Sequence, residues 1–284
     1  MEQGEYPLSD REYARIRARV YAEAGIALSD AKRMLAVSRL AKILRRNKFA
    51  SFDAYLDFLE QDGTAEDAQI FVNALTTNLT RFWREEHHFV HLATHVAGII
   101  AERKGAPDRR RLRIWSAGCS TGQEPYTIAL TLLDRFPELA RWDFKILATD
   151  IDTAVLSKAM GGIYPGSELH ELTPEKARLF ERLPDGRVKV PEAAASLVSF
   201  KPLNLLVPWP MRGKFEAVFC RNVTIYFDKR TQAELFSRFA DILTPGGVLY
   251  VGHSENLGSQ SHHFQIVGKT AYQVRATHKT KDAA

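Results

Sequence analysis

Apolar positions along the chain follow two rhythms. Over roughly the first 73 residues they recur at helical spacing, with no run rich in β-branched or aromatic residues alternating in twos, which predicts a wholly helical region. Short breaks, Gly25 and Asn47 among them, give four short helices. The second helix is expected to open on Ser29 as its N-cap. Turned at about 100° per residue, its Val37, Leu40, Ala41 and Leu44 share one face, while Lys32, Arg39, Lys42 and Arg46 share the opposite one.

From about Arg111 the rhythm becomes strand, then helix, repeated. Residues 111–117 read as a first strand, 118–122 as a small-residue loop and 124–135 as a helix. A second strand over 144–149 ends at Asp150, and a helix over 152–160 follows. Shorter strands are expected at 197–200, 216–220 and 248–252, with a helix over 229–243 between the last two and a closing hairpin of 264–267 with 271–275. This alternation implies an α/β fold with a doubly wound, mostly parallel, Rossmann-like sheet and an antiparallel C-terminal edge hairpin, preceded by an all-α domain. The expected division is a helical domain over 1–75, a linker contributing to the site over 76–90, and the α/β domain over 91–276. A small inserted β-subdomain over about 164–200 and a flexible tail over 277–284 complete it. Within the insert, Asp185-Gly186 signals a turn.

Composition narrows the class. At 284 residues the chain holds about two domains. Its 45% hydrophobic and 26% charged residues exclude a disordered polymer. No run of apolar residues is long enough to span a bilayer, and the acidic, polar start MEQGEYPLSD is unlike a secretory signal. Two distant cysteines, Cys119 and Cys220, make no disulfide framework, so the chain reads as reduced and cytoplasmic. Net charge is only +5. It is concentrated, however: Ser29 to Lys48 holds seven basic residues and one acid. Such a stripe is either a solvated face or a docking surface for something acidic, a Glu-rich helix or a nucleic acid. A monomer is expected, since no long exposed apolar stripe is evident.

Ligands of open α/β sheets bind beyond the carboxyl ends of the strands. Here the first strand runs into Gly118-Cys-Ser-Thr-Gly122, whose backbone can approach a ligand closely at a helix N-terminus. The second ends on Asp150, placed to accept from both hydroxyls of an adenosine ribose, or else to cap the next helix in competition with Asp152. Glu124 either complements the macrodipole of its own helix or holds an ammonium. No G-x-G-x-x-G is present, and glycines four apart fit a pyrophosphate poorly. S-adenosylmethionine has no pyrophosphate and tolerates looser spacing. After the fourth strand the chain lacks the Asn/Asp-Pro-Pro-aromatic run of amine methyltransferases and offers Arg221, Asn222 and Tyr226, suited to a carboxylate or oxygen acceptor.

These residues carry a resemblance. Asn73 to Glu85 (NALTTNLTRFWRE) resembles the N-x-T-x-F-x-R block of the chemotaxis receptor methyltransferases, the CheR family. So do Trp115 to Tyr126, Ala148 to Asp152, Cys220 to Asp228 and Gly252 to Asn256, in the same order. The resemblance implies a class I methyltransferase that moves the methyl of S-adenosylmethionine to glutamate side chains of chemoreceptors, leaving S-adenosylhomocysteine. It implies that Asn78, Thr80 and Arg84 line the site from the linker, Glu124 meets the methionine end, and Asp150 meets the ribose. Asn204 and Leu205 would flank the adenine, with Arg221, Asn222 and Tyr226 closing the pocket beside the methyl. Arg84 and Tyr226 would orient the acceptor carboxylate. Where relatives often carry two acids before the proline, this chain has Gln123-Glu124, which leaves Glu124 as the candidate. It also gives the basic stripe a motive, docking the Glu-rich cytoplasmic helices of receptors. The short Leu183 to Val190 hairpin leans towards recognition without a receptor pentapeptide tether.

His87, His91 and His95 recur at every fourth position beside His88, yet the carboxylate of a zincin is missing from their spacing, so no metal is expected. Cys119 and Cys220 have no base nearby in sequence, which argues against a nucleophile. Two rival readings stay open: a methyltransferase with another acceptor such as RNA, although the stripe lacks aromatic residues for base stacking, and a cofactor-binding signalling module without turnover.

Overall fold

The computed structural model describes residues 6–275. Helices α1 (Asp10–Ala24), α2 (Arg33–Asn47), α3 (Phe52–Gln61) and α4 (Ala65–Leu75) form the amino-terminal bundle. Capping boxes fix two of its helix starts: Ser9 with Glu12 for α1, and Thr64 with Asp67 for α4. Tyr13, Ile16, Val20 and Ala24 of α1 pack with Leu40 and Leu44 of α2, Phe52, Tyr55 and Leu56 of α3, and Phe71, Val72 and Leu75 of α4. The bundle thus has a core of its own.

The second helix differs from its sequence reading at both its start and its face. Ser29 precedes a single 3₁₀ turn and makes no side-chain cap, so α2 begins at Arg33. Its fully buried positions are Ala36, Leu40 and Leu44, with Val37 and Ala41 at the flank.

The remainder opens with α5 (His87–Arg103), whose first turn falls inside the stretch read as linker, so the joining segment ends at Glu86. It continues through β1 (Arg111–Ala117), α6 (Gln123–Arg135), β2 (Asp143–Asp150), α7 (Thr153–Gly161) and the insert strands β3 (Ile163–Pro165), β4 (Glu181–Arg182) and β5 (Arg187–Lys189). Two single-turn helices, α8 (Pro174–Ala177) and α9 (Glu192–Ala195), flank β4 and β5, and β6 (Val198–Pro202), β7 (Phe215–Cys220), α10 (Lys229–Ile242), β8 (Leu243–Val251), β9 (Phe264–Gly268) and β10 (Ala271–Val274) follow. The expected 277–284 tail lies outside the described residues.

Seven strands form the main sheet in the order β6-β2-β1-β7-β8-β10-β9. The first four pairings, through β8, are parallel, and β10 runs antiparallel to β8 and β9. The chain winds outward from β1 to β6, then returns to lay β7 against β1. That reversal opens a crevice at the carboxyl ends of β1 and β7. Every residue of β7 is buried, as a central strand covered on both faces requires. The insert is a separate three-stranded sheet, β3-β5-β4, whose β4–β5 turn places Gly186 at φ 81°. No helix among the described residues is long and apolar enough to cross a membrane.

Candidate active site

The helical bundle sits over the carboxyl ends of the parallel strands, and polar contacts fix it there. Tyr21 donates to Asp228 at 2.6 Å, Asn204 donates to the Glu23 carbonyl at 2.8 Å, and the Ala27 amide donates to the Tyr226 carbonyl at 2.9 Å. From α4, Gln69 reaches the Ile151 carbonyl at 2.8 Å and Asn73 the Thr153 hydroxyl at 3.1 Å. Gly25 ends α1 at φ 67°, and a Cβ there would stand 2.3 Å from Leu206 Cδ1, so glycine permits both the turn and the close approach.

Between the two layers lies a cleft. It is lined by Asn78, Thr80 and Arg84 of the joining segment, Gly118 and Glu124 after β1, Asp150 after β2, Asn204 and Leu205 after β6, and Arg221, Asn222 and Tyr226 after β7. All the residues that the sequence nominated for cofactor or acceptor therefore meet around one cavity. Ile26, Leu75, Leu203 and Phe227 give it apolar walls.

The two acids at the end of β2 divide the work between them. Asp152 is the N-cap of α7, accepting from the Ala154 and Val155 amides, and its other oxygen takes hydrogen bonds from Thr76 at 2.7 Å and Asn78 at 2.8 Å. It ties the joining segment down. Asp150 faces the cleft, oriented by the Ser120 amide at 2.7 Å and the Asp152 amide at 2.9 Å. Burial pushes its carboxyl up to about 6, against the pull of those amides. Gly118, at φ 90°, lets the loop turn under Val223, where a Cβ would lie 2.3 Å from a methyl.

Glu124 accepts from Ser116 at 2.7 Å and from Arg221 at 3.0 Å. Burial pushes its carboxyl up, and the Arg221 charge opposes that. Arg221 is itself buried, donating to the Arg84 carbonyl and lying 3.3 Å from Glu85. It is thus a strut between two carboxylates more than a group at an open rim. Arg84 is the contrasting arginine: it donates to the Leu79 carbonyl at 2.8 Å and has no acidic partner among the described residues. The Tyr226 hydroxyl has no hydrogen-bond partner there either. Asn204 is less free than its place on the cavity wall suggests, since its amide oxygen also accepts from Leu206 at 2.9 Å.

Sequence reasoning missed two residues. Glu85, at φ 56°, holds both Arg221 and the His253 imidazole, the latter at 2.9 Å. Burial would raise its carboxyl, but the His253 hydrogen bond and the Arg221 charge carry it down to about 2. Glu255 gathers the loop after β7, accepting from the amides of Asn222 at 2.8 Å, Val223 at 3.0 Å and Thr224 at 2.7 Å, and from the Gly252 amide at 2.6 Å. Both glutamates stand in blocks that carried the resemblance, and that was their only signal.

Of the basic stripe, Lys32, Lys42 and Arg46 are exposed. Arg39 is not part of that free face: it is half-buried and donates to the carbonyls of Ala74 and Thr76 at the end of α4. Of the histidines, His91 bonds the Tyr250 hydroxyl at 2.9 Å and His95 the Glu216 carbonyl at 3.2 Å, so both pack α5 onto the sheet. Burial pushes the Cys119 and Cys220 thiols well above their ordinary range, which removes them as nucleophiles.

The first-strand loop turns its Ser120 amide back onto Asp150 instead of presenting it to a pyrophosphate. What the cleft offers is two buried carboxylates in an apolar-walled slot, an acceptor set that suits a nucleoside with free hydroxyls and a cationic amino acid end. With a doubly wound sheet and an antiparallel final hairpin, this defines a class I S-adenosylmethionine-dependent methyltransferase. The family model for the CheR methyltransferase SAM-binding domain matches residues 78–273, and that for its all-alpha domain matches 11–76. A probable chemotaxis protein methyltransferase of Rhizobium etli is 43% identical over 259 residues, covering 89% of this chain and 96% of that protein. The chemotaxis protein methyltransferase of Escherichia coli is 45% identical, covering 94% and 92%. Chemotaxis protein methyltransferase 2 of Pseudomonas aeruginosa is 42% identical, covering 94% of each. The chain belongs to the CheR methyltransferase family.

Proposed function

We propose that the protein methylates glutamate side chains of chemoreceptors, forming glutamyl 5-methyl esters, and that the acceptor meets the cofactor in the cleft under the helical bundle. The observation that carries this reading is Arg84, a guanidinium on the cavity wall with no carboxylate partner among the described residues. S-adenosylmethionine supplies an activated methyl on a sulfonium. The chain's own residues then have to bind, orient and exclude water. A glutamate carboxylate is ionised at neutral pH and needs no general base. Positioning is therefore the main task. Arg84 and the unpartnered Tyr226 hydroxyl orient that carboxylate from opposite walls, and Asn78 and Thr80 shape the linker side. Asp150 accepts from the ribose hydroxyls, Glu124 from the ammonium, and Leu205 and Asn204 border the base. Arg221 and Asn222 fix the floor.

Outside the cleft, Lys32, Lys42 and Arg46 on α2 attract and register Glu-rich receptor helices. The protein works as a monomer in the cytoplasm, recruited to receptor arrays, and its short β4–β5 hairpin favours recognition without a C-terminal receptor tether. The test is to incubate the protein with S-adenosylmethionine and chemoreceptor-bearing membranes, and then to map the modified side chains by mass spectrometry. Methyl groups on glutamate carboxyls support the proposal. Methyl groups confined to lysine, or to added RNA, overturn it.

A further inference from the structure

Behind Arg221 lies a cluster that the chemistry above does not use. Glu85, His87 and His88 each bring one ligand-type atom to within 4.8 Å of the others. Glu85 Oε2, His87 Nε2 and His88 Nδ1 are buried atoms with no hydrogen-bond partner among the described residues. Three acceptor-capable atoms pointed at one another in a low-dielectric space repel unless a cation lies among them. One cation is close: Arg221 Nη2, 3.3 Å from Glu85 Oε2. It serves only the carboxylate, being already shared with Glu124 and the Arg84 carbonyl, and it leaves both imidazole nitrogens unsatisfied.

His88 is prepared in the way metal-bound histidines are. Its side chain is 0% exposed, and its Nε2 lies 3.2 Å from the Lys269 carbonyl and 2.8 Å from the Thr270 hydroxyl. A carbonyl only accepts, so Nε2 carries the ring proton and Nδ1 presents a lone pair, 3.6 Å from Glu85 Oε2. A carbonyl on the far nitrogen is the usual device for fixing the tautomer of a metal ligand. The His87 ring sits beside that of His88, with centroids 4.2 Å apart.

We infer that Glu85, His87 and His88 form a site for one transition-metal ion of the zinc class, bound through Glu85 Oε2, His87 Nε2 and His88 Nδ1. Two imidazoles and one carboxylate are a recognised zinc donor set, with a fourth position left for water. The pattern differs from the every-fourth-residue histidine face that the sequence displays. His91 and His95 are engaged with the sheet, and the carboxylate comes from the joining segment just ahead of α5. The inference does not depend on which acceptor is methylated. Because Glu85 also holds Arg221, an ion here would draw on a carboxylate that braces the cofactor cleft.

The test uses the full chain without an affinity tag, stripped with a chelator and titrated with Co²⁺ as a visible-absorbing probe. Expected is one equivalent with tetrahedral-type absorption, displaced by Zn²⁺, and two paramagnetically shifted imidazole signals in the wild-type protein. Glu85→Gln and the half-buried His87→Gln should each weaken binding by ~100-fold or more, beyond the usual effect of losing an outer partner. His262→Gln with His263→Gln should bind as wild type. Wild-type protein that takes up no Co²⁺ at micromolar concentration overturns the inference, as does binding unchanged in His87→Gln or lost in the His262/His263 variant. The two imidazole signals need no variant, so a substitution that fails to fold leaves the wild-type spectrum to decide.

Discussion

Two carboxylates two positions apart, Asp150 and Asp152, show how much a single residue's surroundings decide. Sequence alone left open which of them capped the helix and which met a ligand, because both follow a strand and precede a helix. The structure resolves the capping through partners: Asp152 spends one oxygen on the α7 amides and the other on Thr76 and Asn78, which leaves Asp150 on the cleft wall. Its pKa of about 6 gives a signed prediction. An acceptor of two hydroxyls has to be ionised, so affinity for S-adenosylhomocysteine, measured by calorimetry, should fall as pH drops through about 6. Asp150→Asn should bind about 10- to 100-fold more weakly at neutral pH, the size of losing charge-assisted hydrogen bonds, and show a flatter pH profile. Stability of the free protein runs the other way. Its native carboxyl holds a proton more tightly than the unfolded chain, so this contribution is complete below about 4 and is lost as pH rises through 6. Arg221 makes a second case. Arg221→Met would leave Glu124 and Glu85 buried without their shared cation, and urea unfolding should show a loss of about 3–5 kcal/mol. Neither Glu85 nor Glu255 was legible as a site residue, since the contacts that matter to the cleft, Arg221 for one and the Asn222 amide for the other, are far away in sequence.

Elements were the most legible scale. Strand and helix periods differ enough that β1, β2, β7, α6 and α10 fall within a residue or two of their sequence readings. Among the strands only the start of β8 moved far, from 248 to Leu243, because Leu243 pairs with Phe215 and residues 244–247 bulge before Val248 pairs with Ala217. The second helix was harder. A 3₁₀ turn shifted its start, and a side chain long enough to reach another helix took Arg39 out of the exposed stripe. Two substitutions separate those roles. Lys42→Glu with Arg46→Glu should raise the KM for receptor about tenfold at low ionic strength, less as salt is added, with cofactor affinity unchanged. Arg39→Ala should instead lower unfolding free energy by about 1–3 kcal/mol, through the unmet carbonyls of Ala74 and Thr76, with no salt dependence in its effect on KM.

For the molecule as a whole, the cleft exists because the helical bundle is fastened across the strand ends. Gly118, Glu124, Asp150 and the Arg221 loop were legible from topology, since carboxyl ends of parallel strands converge, whereas Asn78, Thr80, Arg84, Asn204 and Leu205 were legible only through the resemblance. The lid that closes the cleft was not legible, because single contacts such as Asn204 to Glu23 and Tyr21 to Asp228 carry no periodic signal. Gly25 is where that fastening is tightest. Gly25→Ala combines an unfavourable φ with a methyl 2.3 Å from Leu206, and should cost about 1–3 kcal/mol while weakening S-adenosylhomocysteine binding, both readable in thermal melts with and without ligand.

The most direct test of the central claim combines methyl-tritiated S-adenosylmethionine, at saturating concentration, with chemoreceptor-rich membranes and counts volatile label after alkali. Methyl esters release methanol under these conditions. Alkali-volatile counts are expected with the wild-type protein and should be lost with Arg84→Ala, a variant that still binds S-adenosylhomocysteine. Label that stays bound through alkali, or Arg84→Ala transferring methyl at the wild-type rate, would contradict that claim.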